Sequence, residues 1–269
     1  MLKKMAIGLV LVFLLCPSVF AFDHNHSNWN ELLQKHVHWI NQGVASQVDY
    51  AGMQRDEKQL QAYLDELSAA YWSDFSRWEK PQQLAFLINA YNAYTVKLIL
   101  SDYPDLQSIK DLGSFFSSPW GKSFFTLLGK PRSLDEIEHQ MIRAPGAFDD
   151  PRIHAAVVCA SIGCPGIRDE AFVAERVDQQ LEDSFRRFLS DRSRNRYNAQ
   201  NDRLEISKIF DWYAEDFSSG FRGQDSLAAF LGNYAELLAD DENARQRIAA
   251  GQVRIEFLDY DWALNDLKR

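Results

Sequence analysis

Two cysteines with nearby histidines are the residues in this sequence best suited to chemistry. Cys159 and Cys164 lie in the segment Asp149 to Arg168, with His154 upstream of them and His139 further towards the N-terminus. A thiol becomes a nucleophile when an imidazole or a helix N-terminus lowers its pKa and favours the thiolate. The sequence therefore allows a thiol–imidazole site in which Cys159 is the nucleophile and either histidine is the base.

The same residues allow two other interpretations. The residues between Cys159 and Cys164 can curl to bring the two Cα atoms within about 6 Å, which a disulfide needs. The two thiols and two imidazoles could also bind zinc, but their spacing matches no established zinc motif. We expect no cofactor. The sequence does not decide between a disulfide and a catalytic nucleophile at Cys159.

Two asparagines interrupt an apolar helical pattern. Asn89 and Asn92 lie in the segment Pro81 to Leu100, where apolar residues cover nearly the whole circumference of a helix. Buried amides need hydrogen-bond partners. We expect both side chains to bond to the backbone of a neighbouring loop. The alternative is that one of them orients a catalytic imidazole, as in Cys-His-Asn enzymes.

Acidic residues follow Trp212 in the segment Phe210 to Phe217. Tyr213, Glu215 and Asp216 fit the end of an amphipathic helix, where exposed acids are the common case. The sequence therefore predicts solvated carboxylates there.

Helical periodicity dominates the chain. Apolar stripes predict helices near residues 60–71, 81–100, 177–189 and 227–238. A capping box at Ser133 to Glu136 predicts another helix that ends at Arg143. Strand patterns are short and occur at residues 124–128, 153–158, 197–206 and 253–257. Because strands and helices do not alternate regularly, we expect an α+β fold: a predominantly helical single domain with a small β-sheet of short strands.

Composition narrows the class of protein. The 269 residues include 29 Lys and Arg against 38 Asp and Glu, which gives a formal net charge of −9, and 46% of the residues are hydrophobic. A chain this acidic lacks the clustered cations that phosphate contacts need, so we expect no nucleic-acid partner. The composition is typical of a globular domain.

The first 21 residues have the pattern of a secretory signal peptide. Lys3 and Lys4 precede an apolar run from Met5 to Cys16, which is too short to span a membrane. We expect cleavage after Ala21, a single domain at residues 22–269 with no membrane span, and a periplasmic or secreted location. An oxidising compartment would favour the disulfide.

Cleavage after Ala21 would also create a metal-binding pattern. The new terminus, Phe22-Asp23-His24, would offer a free amine, two backbone amides and the His24 imidazole, which together can hold one ion in a square plane. That geometry selects Cu(II) or Ni(II). The alternative is an incidental histidine in a frayed terminus.

Several segments together resemble one family. They are LINAYNAYTVKL at Leu87 to Leu98, SLDEIEH at Ser133 to His139, PRIHAAVVCASIGCPGI at Pro151 to Ile167, ISKIFDWYAEDF at Ile206 to Phe217, and YDWALN near the C-terminal end. Over about residues 82–265 the chain is similar to the bacterial and plant proteins catalogued as domain of unknown function 547 (DUF547), and it resembles an exported bacterial member. The resemblance assigns no catalytic residue. It implies that the cysteine pair also occurs in members inside eukaryotic cells, where thiols stay reduced, and this favours a shared active site.

The sequence therefore favours an exported enzyme, a thiol-dependent acyl transferase or amide hydrolase. Cys159 would be the nucleophile, His154 or His139 the base, and Asn89 or Asn92 the orienting group. The ligand would be a small molecule or a peptide. The alternative is a non-catalytic periplasmic binding module in which the cysteine pair forms a disulfide.

Overall fold

The structure is a computed structural model that describes residues 22–114 and 117–267. The predicted signal peptide at residues 1–21 lies outside the described residues. Within them, no helix is both long enough and apolar enough to cross a membrane.

Helices form most of the regular structure in the described residues. The α-helices are α1 (Ser27–His36), α2 (Tyr50–Arg55), α3 (Glu57–Ala69), α4 (Trp72–Phe75), α5 (Lys80–Leu100), α6 (Val177–Ser190), α7 (Ile209–Trp212), α8 (Leu227–Gly232), α9 (Ala235–Leu238) and α10 (Glu242–Ala249). Short 3₁₀-helices occur at Asn41–Gly43, Ile109–Leu112, Pro151–Ala155, Ala174–Arg176, Asp216–Ser218 and Phe221–Gly223. A π-helix spans Glu136–Ile142.

The strands are short and form three small sheets. They are β1 (Val37–Ile40), β2 (Ala45–Val48), β3 (Phe125–Leu127), β4 (Lys130–Arg132), β5 (Arg196–Asn198), β6 (Arg203–Ile206) and β7 (Arg254–Phe257). Strands β1 and β2, β3 and β4, and β5 and β6 pair antiparallel, while β7 adds to β6 in parallel. The predicted helix-rich α+β fold is confirmed, although the small sheet of the prediction is divided into three.

Helix α5 forms as its sequence predicts. Glu79 makes a reciprocal capping box at its start, and Pro81 lies in the first turn, where backbone N–H groups have no partner within the helix. Beyond that turn nearly every side chain is buried, because apolar residues occur on all faces. The helix therefore holds Asn89 and Asn92 inside the protein.

The predicted capping box at Ser133 is present, but the helix that follows it is wound differently. Ser133 Oγ accepts from the Glu136 N–H at 3.2 Å, and the Glu136 carboxylate accepts from the Ser133 N–H at 2.8 Å. The Arg143 N–H then donates to the Glu138 carbonyl, five residues back, at 2.9 Å. Such π-helical turns are rare and often lie at functional sites.

The predicted strand at residues 153–158 is wrong. Asp150 caps a 3₁₀-helix here by accepting from the Arg152 N–H at 3.0 Å, and Pro151 follows the cap. The apolar run after it bonds to a side chain of α5 instead of a neighbouring strand. A short buried apolar run is compatible with either structure, so periodicity could not decide.

The segment with His154 and Cys159 passes between two apolar clusters. Ile153 and Ala156 pack in the larger cluster around α5, while Ala155 packs in the smaller one around α6. The chain's C-terminal segment then covers the cysteine loop: the Gly163 N–H donates to the Asp261 carbonyl at 2.8 Å. A Cβ at position 163 would lie only 3.0 Å from that backbone, so the close approach requires glycine.

Candidate functional site

Asn92 fixes the backbone that leads to Cys159. Its Nδ2 donates to the Ala156 carbonyl at 2.9 Å, and its Oδ1 accepts from the Val158 N–H at 3.0 Å. Just beyond Cys159, the backbone of Ala160 has φ +61°, a left-handed conformation that is costly for a residue with a Cβ. The thiol therefore lies on a tight turn that is held from the interior of the protein.

Asn89 does the same for a different loop. Its Nδ2 donates to the Phe172 carbonyl at 2.7 Å, and its Oδ1 accepts from the Phe172 N–H at 3.0 Å. Both amides are buried and bonded to backbone, which confirms that expectation. Within the part of the chain that the structure describes, neither amide bonds to an imidazole, so the structure does not support the alternative that Asn89 or Asn92 orients a histidine.

The Asn92 clamp allows a prediction about stability. Replacing Asn92 by Ala should lower the free energy of unfolding by about 1–3 kcal/mol, because the Ala156 carbonyl and the Val158 N–H would be left buried without partners. Urea unfolding followed by circular dichroism measures this. Asn243→Ala is the matched control, since Asn243 is exposed in α10. Equal midpoints for the two variants would contradict the role of the clamp.

Three groups that can donate hydrogen bonds surround the Cys159 sulfur. Its Sγ lies 3.1 Å from Cys164 Sγ, 3.0 Å from Ser161 Oγ and 3.0 Å from the Tyr260 hydroxyl. The hydrogen bond with Cys164 lowers the pKa of Cys159 most, and those with Ser161 and Tyr260 lower it further against the opposing effect of burial. Burial raises the pKa of Tyr260, so this phenol stays protonated and able to donate.

Cys164 differs from Cys159 in its surroundings. Burial, and then its contact with Cys159, raise the pKa of the Cys164 thiol. Its Sγ also accepts from the Cys159 N–H at 3.0 Å. Of the two thiols, Cys159 is the one suited to act as a thiolate, and Cys164 is suited to donate to it. The two sulfur atoms are unbonded but adjacent, so a disulfide between them stays a prediction.

His154 is held by a carboxylate that the sequence did not indicate. Its Nε2 lies 2.7 Å from Asp216 Oδ2, and its ring stacks on Tyr213 with centroids 3.9 Å apart. An ionised carboxylate only accepts hydrogen bonds, so Nε2 carries the proton and Nδ1 has the free lone pair. Burial lowers the pKa of His154, so the ring is neutral at pH 7.

The predicted solvated acids at residues 213–216 are therefore partly wrong. Glu215 is exposed as expected, but Asp216 accepts from Arg143 Nε at 2.6 Å and from Arg143 Nη2 at 3.1 Å besides its bond with His154. Burial raises the pKa of Asp216, but the hydrogen bonds from His154 and Arg143 together have the larger effect. The net result is a pKa below the usual value for aspartate. The Tyr213 hydroxyl donates to Glu138 Oε1 at 2.7 Å. No motif in the sequence pairs position 154 with position 216.

His139 lies at the same site in a different state. Its Nδ1 accepts from Arg143 Nη1 at 2.6 Å, and its Nε2 lies 3.9 Å from Asp135 Oδ1. A guanidinium can only donate, so the basic nitrogen of this ring is already occupied. His139 is thus a less suitable base than His154.

One cavity of about 280 Å³ brings these groups together. Cys159, Cys164, His154, His139 and Glu138 line it, together with Asp135, Val157 and Ile209. Its remaining walls are aromatic: Tyr91, Trp120, Trp212, Tyr213, Tyr260 and Trp262. Within the described residues, neither imidazole makes a hydrogen bond to Cys159. Neither Asn89 nor Asn92 is among the described residues that line this cavity.

His24 does not line this cavity. The segment that contains it packs against aromatic side chains. Phe22 contacts the rings of Trp78 and Phe86, and the His24 ring lies edge-on to Trp78 with centroids 4.6 Å apart. His24 Nδ1 is buried without a hydrogen-bond partner. The described residues contain no cluster of three His, Cys, Asp or Glu side chains placed to hold a metal ion. The square-planar site stays a prediction, because it requires cleavage after Ala21.

Residues 75–189 match the model of the family described as "Protein of unknown function, DUF547", so this segment belongs to that family. The match includes α5, the π-helix, His154 and both cysteines, and it confirms the resemblance over that part of the chain. Asp216 and Tyr260 lie beyond it, where the resemblance stays a prediction. Neither a curated protein nor a solved structure matches the chain significantly.

Proposed function

We propose that this chain, whose residues 75–189 belong to the DUF547 family, is an exported thiol-dependent acyl transferase or amide hydrolase. The observation on which the proposal rests is that one cavity contains both a thiol with three possible donors around it and an imidazole bonded to a carboxylate. That pattern is the one by which cysteine nucleophiles are activated. Export is supported by the sequence pattern of the first 21 residues.

His154 is the proposed base. Its Nε2–H bond to Asp216 leaves Nδ1 free to accept a proton, and the carboxylate would stabilise the imidazolium that forms. His139 is the weaker candidate, because Arg143 donates to its Nδ1. The proton would pass from Cys159 Sγ to His154 Nδ1 directly or through one water molecule in the cavity.

The first chemical step is acylation of Cys159. Sγ attacks the carbonyl carbon of an amide or ester, so an S–C bond forms while the C–N or C–O bond to the leaving group breaks. The leaving nitrogen or oxygen takes the proton that His154 received from the thiol. The product is a thioester on Cys159 and a free amine or alcohol.

The second step regenerates the thiol. Water or an amine attacks the thioester carbon, its proton passes to His154, and Sγ leaves as the thiolate and is reprotonated. Attack by water makes the protein a hydrolase, and attack by an amine makes it a transferase. Ser161 and Tyr260 can donate to the departing sulfur in either case.

One observation favours a second candidate function, a non-catalytic binding module. The two sulfur atoms lie 3.1 Å apart, so an oxidising compartment could join them with little movement of the loop. Oxidation would remove the nucleophile and leave an aromatic-walled cavity. The intact mass of the secreted protein before and after reduction distinguishes the two candidates, because a disulfide gains two hydrogens on reduction.

The rate of alkylation of Cys159 at different pH values tests the proposed function. We expect the iodoacetamide rate of the reduced protein to rise with pH and to reach its midpoint below about 8.5, the ordinary value for cysteine. The lowered pKa means that more thiolate is present at neutral pH than in an ordinary cysteine. Peptide mapping assigns the label to Cys159 or Cys164.

Tyr260→Phe provides the matched variant. It removes one donor to the thiolate, so the midpoint should move up by about one pH unit, the size expected for one hydrogen bond to a charged group. Tyr197→Phe is the control, because the Tyr197 hydroxyl bonds to Asp202 on the surface. If the pH midpoint for alkylation of Cys159 is no lower in the folded protein than in denaturant, the proposal that Cys159 is an activated nucleophile is wrong.

A further inference from the structure

Glu138 is a buried acid that makes no ion pair within the described residues. Four carboxylates among these residues are buried: Asp49, Glu138, Asp191 and Glu205. Three of them pair with Arg55, Arg194 and Arg196 respectively, whereas in the described part of the chain no Lys, Arg or His nitrogen lies within 4 Å of Glu138. Its side chain accepts from Tyr213 through Oε1, and Oε2 accepts no hydrogen bond from the described residues.

A cationic ligand in the cavity would complete this arrangement. Glu138 is only 6% exposed, and a buried carboxylate loses most of its hydration. The residue lines the cavity next to Cys159, so a molecule in the cavity can reach its free oxygen. Arg143 attracts Glu138 through space, but its guanidinium bonds to Asp216 and His139 and makes no ion pair with Glu138 within the described residues.

The walls of the cavity suit a cation as well. Trp120, Trp212, Tyr260 and Trp262 form a continuous aromatic group with centroid distances from 4.5 to 5.8 Å. The faces of such rings attract ammonium groups. Lys110 Nζ lies 4.7 Å from the Trp262 centroid, so one cation of the protein already uses this group of rings.

We propose that the cavity binds a substrate with a primary ammonium group, which donates to Glu138 Oε2 and faces the aromatic wall formed by Trp120, Trp212 and Trp262, against which the apolar part of the substrate also packs. Asp135 adds a second negative charge, since it lines the same cavity, where its Oδ1 lies 3.9 Å from His139 Nε2. The inference builds on the proposed function, because it names the class of molecule that would meet the Cys159 thioester. A bound ammonium that loses one proton to His154 Nδ1 becomes an amine and can attack the thioester as the acyl acceptor; in hydrolysis the bound group is the amine that was released.

Calorimetric titration with 2-phenylethylamine tests the inference directly. This probe is a cation at pH 7, and 2-phenylethanol is a neutral molecule of nearly the same shape. We expect the amine to bind at least about ten-fold more tightly than the alcohol, as for a charged hydrogen bond combined with a cation–π contact. Equal affinities would overturn the proposal, and this comparison on the unaltered protein needs no variant to fold.

The Glu138→Gln variant tests whether the ammonium group of the probe binds at Glu138. The substitution keeps an oxygen for Tyr213 but removes the charge, so amine affinity should fall about ten-fold while alcohol affinity stays the same. Glu215→Gln is the matched control, because Glu215 is exposed on the neighbouring segment and does not line the cavity. Equal effects of the two variants would show a general charge effect and would contradict a site at Glu138.

Protection of the thiol shows whether binding occurs beside Cys159. Saturating 2-phenylethylamine should slow the alkylation of Cys159 by about ten-fold, since bound amine would block the cavity. Unchanged alkylation despite tight binding would place the amine elsewhere and overturn the inference. A failure of this inference can be distinguished from a failure of the proposed function. The cavity can bind the amine even if the Cys159 thiol is not activated, and Cys159 can have a lowered pKa even if the cavity binds no amine.

Discussion

Replacing Asp216 by Asn should lower the rate of acylation of Cys159 by a factor of about 10² to 10⁴, although the protein should still fold. The Asn amide would donate to His154 Nε2, which moves the ring proton to Nδ1 and leaves no lone pair facing the cavity. The negative charge that stabilises the imidazolium is lost at the same time. The initial burst of p-nitrophenol released from p-nitrophenyl acetate measures this rate.

Asp211→Asn is the matched control for this prediction. Asp211 lies one turn earlier and pairs with Lys208 at the surface, so the same chemical change there should leave the burst within about two-fold of the original rate. The thermal midpoints of both variants separate a loss of structure from a loss of proton transfer. An unchanged burst in folded Asp216→Asn protein would mean that the His154–Asp216 pair takes no part in acylation.

Replacing Cys159 by Ala should abolish the burst, with a loss of about 10³-fold or more, because burial raises the pKa of Cys164, the other thiol in the cavity, and leaves it a poor nucleophile. Cys164→Ser should retain most of the burst, since the serine hydroxyl can still donate to the Cys159 thiolate. Cys164→Ser should also remove any inhibition by mild oxidation, because the partner thiol is gone.

The contrast between the two cysteine variants distinguishes the two candidate functions. A binding module would release p-nitrophenol at the same background rate with or without Cys159. An equal loss in both variants would instead indicate that the pair acts as a unit or that the loop fails to form. Unfolding of each variant followed by circular dichroism shows whether the loop has formed, because a variant without the loop should be less stable.

The parts of the structure that depend on local pattern could be predicted from the sequence. Helix α5 has apolar residues on all faces, so both its burial and the burial of Asn89 and Asn92 follow from that pattern. The hairpin of β5 and β6 and the strand β7 were likewise predicted, because turn residues and alternation mark them. The capping box at Ser133 correctly indicated where a helix begins.

The parts that depend on distant contacts could not be predicted. Asp216 lies 62 residues after His154, and the packing of the segment with Tyr213 and Phe217 on the imidazole brings the two together. Tyr260 reaches Cys159 across 101 residues, because the C-terminal segment covers the cysteine loop. The π-helical winding of Glu136–Ile142 depends on backbone bonds to the fifth residue back, such as that from the Arg143 N–H to the Glu138 carbonyl, which no residue pattern indicated.

The central claim is that Cys159 is a nucleophile activated by its cavity. The most direct measurement is mass spectrometry of peptides from reduced protein that was quenched in acid during the p-nitrophenyl acetate burst. We expect one acetyl group on the peptide that contains Cys159. This group should be lost on treatment with hydroxylamine at neutral pH, as a thioester is, and should be absent from the Cys159→Ala variant. An acetyl group on Ser161 or on surface lysines only, or no acetylated peptide during a burst, would contradict it.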